Sequence, residues 1–256
     1  MTHVIMTGLS DRGRMREGNE DAIATRPELG FAVLADGMGG HRAGEVASRM
    51  AVDIVARHLA ENLPPGNGDA VAEPVVSEAI RLANNAIYDA AQERPECQGM
   101  GSTIVVVLFS AQKLYVGHVG DSRLYRLHDG RLEQLTQDHS VIQELVNRGL
   151  FTPEEARQSV AKNLVTRALG VEPGVVPDIS ERRLSAGDVY LLCSDGLNDV
   201  LADDEIAGIL DQHRDDLDAA ARRMVERANE HGGPDNISVI LARVDDPSGE
   251  TELHEI

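Results

Sequence analysis

Residues 31–41 read FAVLADGMGGH. Five apolar residues, Phe31 to Ala35, run straight into Asp36. A backbone almost without side chains then follows as far as His41. A short apolar run bounded by glycine reads as a buried strand. A buried carboxylate at the end of such a strand costs several kcal/mol unless something compensates it.

The pattern recurs. VYLLCSDG, residues 189–196, is a second apolar run that ends on Asp195 and Gly196. LYVGHVGDS, residues 114–122, ends on Asp121, and GGPDNISVILARV, residues 232–244, reverses the order, with Asp235 and Asn236 opening the strand. One Asp-Gly at a strand end is an ordinary turn signal. Four aspartates in parallel context point instead to a cluster, and clustered carboxylates cannot all ionise without cations because each raises the others' pKa. No Lys or Arg accompanies them in a repeating way, so divalent metal is the natural compensator. The set is oxygen-only, with no His/Cys cluster, which favours Mg²⁺ or Mn²⁺ over Zn²⁺. Gly37 and Gly196 let the chain turn sharply and let a carbonyl or a substrate approach closely.

Other runs extend the reading. STIVVVLFS, KLYVGHV, RLYRL, DVYLLC and NISVILARV have strand composition. SAQKL and HDG join neighbouring runs as hairpins, so those strands are antiparallel. AGEVASRMAVDIVARHLAENL is a helix ending before Pro64, and EPVVSEAIRLANNAIYDAAQE is a second, after a loop-like PPGNGDAVAEP. TPEEAR is a helix start, with Thr152 as cap, Pro153 at the first position and Glu155 closing a capping box. DHS, residues 138–140, reads as an Asp-capped helix start rather than a catalytic use of His139. DLDAAARRMVERANEHGG is a long helix stopped by glycine. Hairpins alternating with pairs of helices predict an α+β fold rather than a parallel βαβ one.

The chain has 256 residues, 42% of them hydrophobic but only 3% aromatic, so its core is aliphatic. Its 43 acidic against 24 basic residues give −19, which argues against nucleic acid as a partner. The acidic end, residues 246–256, reads as a disordered tail after a domain over residues 1–245. Cys97 and Cys193 form no metal or redox spacing. There is no signal pattern and no apolar stretch near the ~20 residues that span a bilayer. The expectation is a cytoplasmic protein that engages no membrane.

Eight stretches, taken in order, are similar to the metal-dependent protein phosphatases of the protein phosphatase 2C type, above all their single-domain bacterial members. They are GRMREGNEDA, LADGMGGHRAGEVAS, GSTIVVV, VGHVGDSRLYRL, LTQDHS, TRALG, LLCSDGL and GGPDNISVI. The resemblance implies a four-layer α-β-β-α sandwich of two antiparallel sheets flanked by helices. It implies that Asp36 bridges two Mg²⁺ or Mn²⁺ ions. The carbonyl of Gly37 would join the first ion, Asp195 and Asp235 would bind the second, and Glu20 would hold a metal-bound water. Asp121 and Asp195 match a weaker third ion, and Arg16 matches the arginine that grips the substrate phosphate. A hydroxide bridging the ions would attack phosphoserine or phosphothreonine directly, and His41 would protonate the leaving alkoxide. The partners implied are phosphorylated proteins, a Ser/Thr kinase and its targets, acted on by a monomer.

Rival chemistries fit less well. A cysteine phosphatase needs Arg six residues after its Cys, where Thr103 and Asp199 stand. An aspartyl-phosphate enzyme wants a second Asp two residues on, where Met38 and Leu197 stand. GMGG lacks the Lys-Ser/Thr ending of a nucleotide loop. A two-metal nuclease is disfavoured by the charge. A catalytically silent phosphopeptide- or metal-binding adaptor of the same fold is the alternative, and it would be expected to have lost Asp36, Asp195 or Asp235. QSVAKNLV, residues 158–165, stands where bacterial relatives often carry a His-Pro-containing flap segment.

Overall fold

Tight turns set the topology. Ala111 (φ 43) turns β5 (Ile104–Ser110) into β6 (Lys113–Val119), and Asp129 (φ 46) with Gly130 (φ 75) turns β7 (Arg123–His128) into β8 (Arg131–Gln134). Both pairs are antiparallel, as connections this short require. The structure, a computed structural model, describes residues 3–39, 43–63, 69–152, 155 and 164–246. The other strands are β1 (His3–Asp11), β2 (Asp21–Arg26), β3 (Phe31–Met38), β4 (Gly101–Ser102), β9 (Asp178–Arg183), β10 (Val189–Cys193) and β11 (Ile237–Asp246). One sheet runs β1-β11-β10-β7-β8. The other runs β2-β3-β5-β6-β9, with β4 also on β3.

The central strands β3, β5 and β10 read as continuous apolar runs because both faces are buried. Phe31, Val33 and Ala35 of β3 face α1 (Ala43–Asn62) and α2 (Asp69–Glu93), whereas Ala32 and Leu34 face the other sheet. Val189, Leu191 and Cys193 of β10 likewise pack under α4 (Asp195–Asn198), α5 (Asp203–Gln212) and α6 (Leu217–Glu230). Tyr190 and Leu192 point between the sheets, where Tyr190 meets Phe109 edge-on at 5.5 Å. Each such buried aliphatic side chain stabilises the fold by ~1.5–3 kcal/mol. The layers are therefore α-β-β-α, an α+β fold as the hairpins and helices predict and the sandwich that the resemblance implies.

Several elements differ from the sequence reading. β1, β2 and β9 were not anticipated: β9 is the polar edge DISERR, and β1 leaves most of its side chains half-exposed. α5 was also not anticipated. α2 begins at Asp69, so half of the supposed loop is helix, and it runs through Pro74. The cap of α3 (Val141–Asn147) is Ser140, whose Oγ accepts from Gln143 N, and not Asp138. Asp138 is engaged elsewhere, by a two-pronged ion pair from Arg123. The Thr152–Glu155 capping box is present, with reciprocal bonds of 2.8 and 3.2 Å. Among the described residues no helix is long and apolar enough to cross a membrane.

Candidate active site

Asp36 lies within β3 rather than at its end, paired directly with Asp21 of β2. The opposite ladder is interrupted at Thr103, between β4 and β5. Side chains fill the gap: Asp36 N donates to Thr103 Oγ1 (3.0 Å), and Asp36 O accepts from Thr103 N (2.8 Å) and Ser102 Oγ (3.0 Å). Thr103 Oγ1 also shares a 2.7 Å hydrogen bond with Ser122 Oγ, the neighbour of Asp121. Asp195 is the first residue of α4, directly after β10. Asp235 and Asn236 immediately precede β11. The Asn236 amide binds the carbonyls of Arg12 and Gly18, each at 2.9 Å, and its oxygen accepts from Glu20 N at 2.8 Å. One asparagine thus fixes the whole loop that carries Arg16 and Glu20.

The glycines serve close approach. A Cβ on Gly37 would lie 2.0 Å from Gly44 O, and one on Gly196 would lie 2.0 Å from Asn236 O. Neither residue has a positive φ, so the sharp turn expected at these positions is not their reason. A Cβ on Gly44 would meet both Glu20 Oε1 and Gly37 O at 2.8 Å. Those two oxygens therefore converge over the start of α1.

The carboxylates converge electrostatically as well. Burial pushes Asp36 well above the usual carboxylate range, and Asp21, Asp195, Asp121 and Asp235 push it further. Burial does the same to Asp195, reinforced by Asp121, Asp235 and Asp199. Asp121 is lifted to about 6 by burial and then by Asp138. Glu20 is raised by burial against the pull of Arg16. Asp195 Oδ1 is buried with no hydrogen-bond partner. Oxygens left this way cost free energy unless a cation takes them, so the residues present fit a divalent metal centre. Arg16 stands at the rim, half-exposed, and donates to Asp235 Oδ2 at 2.7 Å.

The protein phosphatase 2C profile matches residues 9–237. The chain belongs to the protein phosphatase 2C family. It is 43% identical over 238 residues to the serine/threonine protein phosphatase PstP of Mycobacterium tuberculosis, covering 93% of this chain and 44% of that protein. The chain thus spans less than half the length of that relative. It is 37% identical over 239 residues to the serine/threonine phosphatase stp of Listeria monocytogenes, covering 92% of this chain and 94% of that one. The fold superposes on the PstP catalytic domain in complex with two manganese ions with a TM-score of 0.84 at 40% identity, covering 95% and 99% of the two chains. The family is one of metal-dependent serine/threonine phosphatases, which favours the enzyme over the silent adaptor.

Within this fold, Asp36, Gly37, Glu20, Asp121, Asp195, Asp235 and Arg16 come together. His41 and most of QSVAKNLV lie outside the described residues. Asp21 was missed. It is buried beside Asp36, accepts from Ser194 Oγ at 2.8 Å, and is lifted to about 6 by burial, which outweighs its hydrogen bonds to Ser238 and Ser194. Its signal was the alternation after Glu20: Asp21 and Ile23 are two apart on a strand that pairs with β3. Cys193 is core, with its thiol pushed up to about 12 by burial. It is no nucleophile.

Proposed function

We propose that this chain hydrolyses phosphoserine and phosphothreonine in proteins, with the carboxylate cluster as its metal centre. The observation that carries this reading is the buried, partnerless Asp195 oxygen beside Asp36, in a cluster whose members raise one another's pKa. Bound Mg²⁺ or Mn²⁺ would neutralise that charge, activate a water and steady the attacking and leaving oxygens. Asp36 would hold both core ions, with the Gly37 carbonyl on the first, Asp195 and Asp235 on the second, and Glu20 on a metal-bound water. Asp121 with Asp195 would hold a weaker third.

The remaining residues bind and orient. Arg16 presents its planar fork to the phosphate from the rim, with Asp235 steadying one end. His41, five residues past Asp36 in the sequence, supplies the proton that the departing alkoxide needs. Asn236, Thr103 and Ser102 keep the loop and β3 in register. The substrates are phosphorylated proteins, among them a Ser/Thr kinase and its targets, met by a cytoplasmic monomer whose catalytic domain is residues 1–245.

Calorimetric Mn²⁺ titration of the parent, Asp36→Ala and Asp121→Ala tests the assignment. Asp36→Ala should lose both tight ions, because one carboxylate sets their spacing. Asp121→Ala should keep two tight ions and need more metal for full rate. Two ions retained by Asp36→Ala, or none by Asp121→Ala, would refute these roles.

A further inference from the structure

His139 is buried on the loop between β8 and α3, and its polar atoms face three other segments. Its N–H donates to Gly120 O (2.9 Å), and its Nδ1 accepts from Gly120 N–H (3.1 Å). One residue therefore satisfies both backbone groups of Gly120. The carbonyl of His139 accepts from Thr166 N–H at 2.7 Å. Its Nε2 lies 3.2 Å from Asp178 Oδ2. The other Asp178 oxygen accepts from Arg167 at 2.7 Å. His118 stacks on the ring, with centroids 4.6 Å apart.

Two histidines and a carboxylate with ligand atoms within 4.8 Å of one another have the composition of a transition-metal site. The hydrogen bonds exclude that use. A backbone N–H aimed at Nδ1 needs a lone pair there, so the proton of the neutral ring sits on Nε2, where a metal would have to bind. His118 donates its Nε2–H to Gln137 O at 2.9 Å, so the exclusion rests on His139. Burial first, then His118, holds the His139 pKa down to about 4, so the ring is neutral near pH 7.

Gly120 is the hinge on which this matters. Its φ is +106, and a Cβ there would lie 2.6 Å from Thr103 Cγ2. It sits between β6 and Asp121, against the threonine that holds Asp36. Thr166 follows the bridge between Val165 and Ser140, so the chain on either side of residues 153–163 meets at the same histidine.

We propose that His139 is a positioning residue, a neutral imidazole that clamps the Gly120 turn to Thr166 and so sets where the Asp121 carboxylate stands in the metal centre. This rests on the reading of Asp121 as a ligand of the weaker ion. Nothing in the role requires His139 to touch substrate or metal.

Two near-isosteres separate the two ends of the ring. In His139→Asn the amide oxygen takes the place of Nδ1 and still accepts from Gly120. In His139→Gln the amide reaches towards Asp178 and leaves Gly120 N–H without its acceptor. His139→Gln should raise the Mn²⁺ needed for half-maximal phosphopeptide hydrolysis by about tenfold, the loss of one buried hydrogen bond, while His139→Asn stays within about twofold of the parent. In metal-free protein the Gly120 amide should exchange faster in the Gln variant and at the parental rate in the Asn variant. Nitrogen-15 spectra of the unaltered, metal-free protein should show His139 as the Nε2–H tautomer at neutral pH, a readout that survives if either variant fails to fold. Equal behaviour of the Asn and Gln variants, or an Nδ1–H or charged ring in the parent, overturns the clamp. Asp121→Ala is the control: if it leaves the Mn²⁺ requirement unchanged, the reading of Asp121 falls and the proposal with it. A raised requirement in Asp121→Ala but not in His139→Gln overturns the clamp alone.

Discussion

Without metal, the carboxylate cluster should oppose folding, and Asp121 is where the size of the effect can be read. Burial, followed by Asp138, lifts its carboxyl from 3.8 to about 6 in the folded chain. A group whose folded pKa lies above its unfolded one binds its proton more tightly when folded. The resulting penalty is absent below the unfolded pKa, grows as pH rises through the window from about 4 to about 6, and is complete above it. Roughly two units correspond to ~3 kcal/mol against folding near pH 7. Asp121→Asn removes the charge and keeps the shape, though its amide must find partners of its own. In chelator near pH 7.5 the variant should be about 1–3 kcal/mol more stable than the parent. That gain should shrink by roughly 2 kcal/mol near pH 4.5. Urea denaturation of both proteins at the two pH values, followed by circular dichroism, measures it. In thermal melts each kcal/mol is about 2–4 °C for a chain of this size. Comparing variant with parent cancels the other titrating groups. An Asn variant less stable than the parent in chelator at neutral pH, or a gain independent of pH, would refute the reasoning.

Other perturbations probe separate parts of the site. His41→Ala should slow phosphopeptides ~10²–10⁴-fold but p-nitrophenyl phosphate far less, since that leaving group hardly needs a proton; equal losses in steady-state assays would rule out the acid role. Gly196→Ala should destabilise by about 1–3 kcal/mol or more, because its Cβ would press on Asn236 O at 2.0 Å; an unchanged denaturation midpoint would show that the packing there yields. Cys193→Ser should keep metal-dependent activity wherever it folds, with any loss appearing in melting temperature rather than in rate per folded enzyme.

The clustered aspartates were legible where an apolar run met an acid and a glycine. Asp36, Asp121, Asp195 and Asp235 each break a buried strand's hydrophobicity, and that conflict has few physical resolutions. Asp21 interrupts no apolar run, so its one signal was the alternation with Ile23, and the pairing of β2 with β3 brings it against Asp36. Of the two reasons read for Gly37 and Gly196, close approach of a carbonyl holds and the sharp turn does not. Close approach between chain segments distant in sequence, such as Gly196 against Asn236, leaves no local signature, whereas a turn does. β9 was invisible for a related cause, since a polar edge strand has one pairing partner and little to bury. Ser140 displaced Asp138 as helix cap because Arg123, fifteen residues earlier, claims that carboxylate.

The central claim is that a carboxylate-held metal centre drives phosphoester hydrolysis by this chain. Its most direct test is the rate of phosphate release from a phosphothreonine peptide, measured for the parent and Asp36→Ala, each with Mn²⁺ and with chelator. The parent should turn over only with Mn²⁺ and stop in chelator, and Asp36→Ala should be inactive in both. Undiminished hydrolysis by the parent in chelator, or by Asp36→Ala with Mn²⁺, would contradict it.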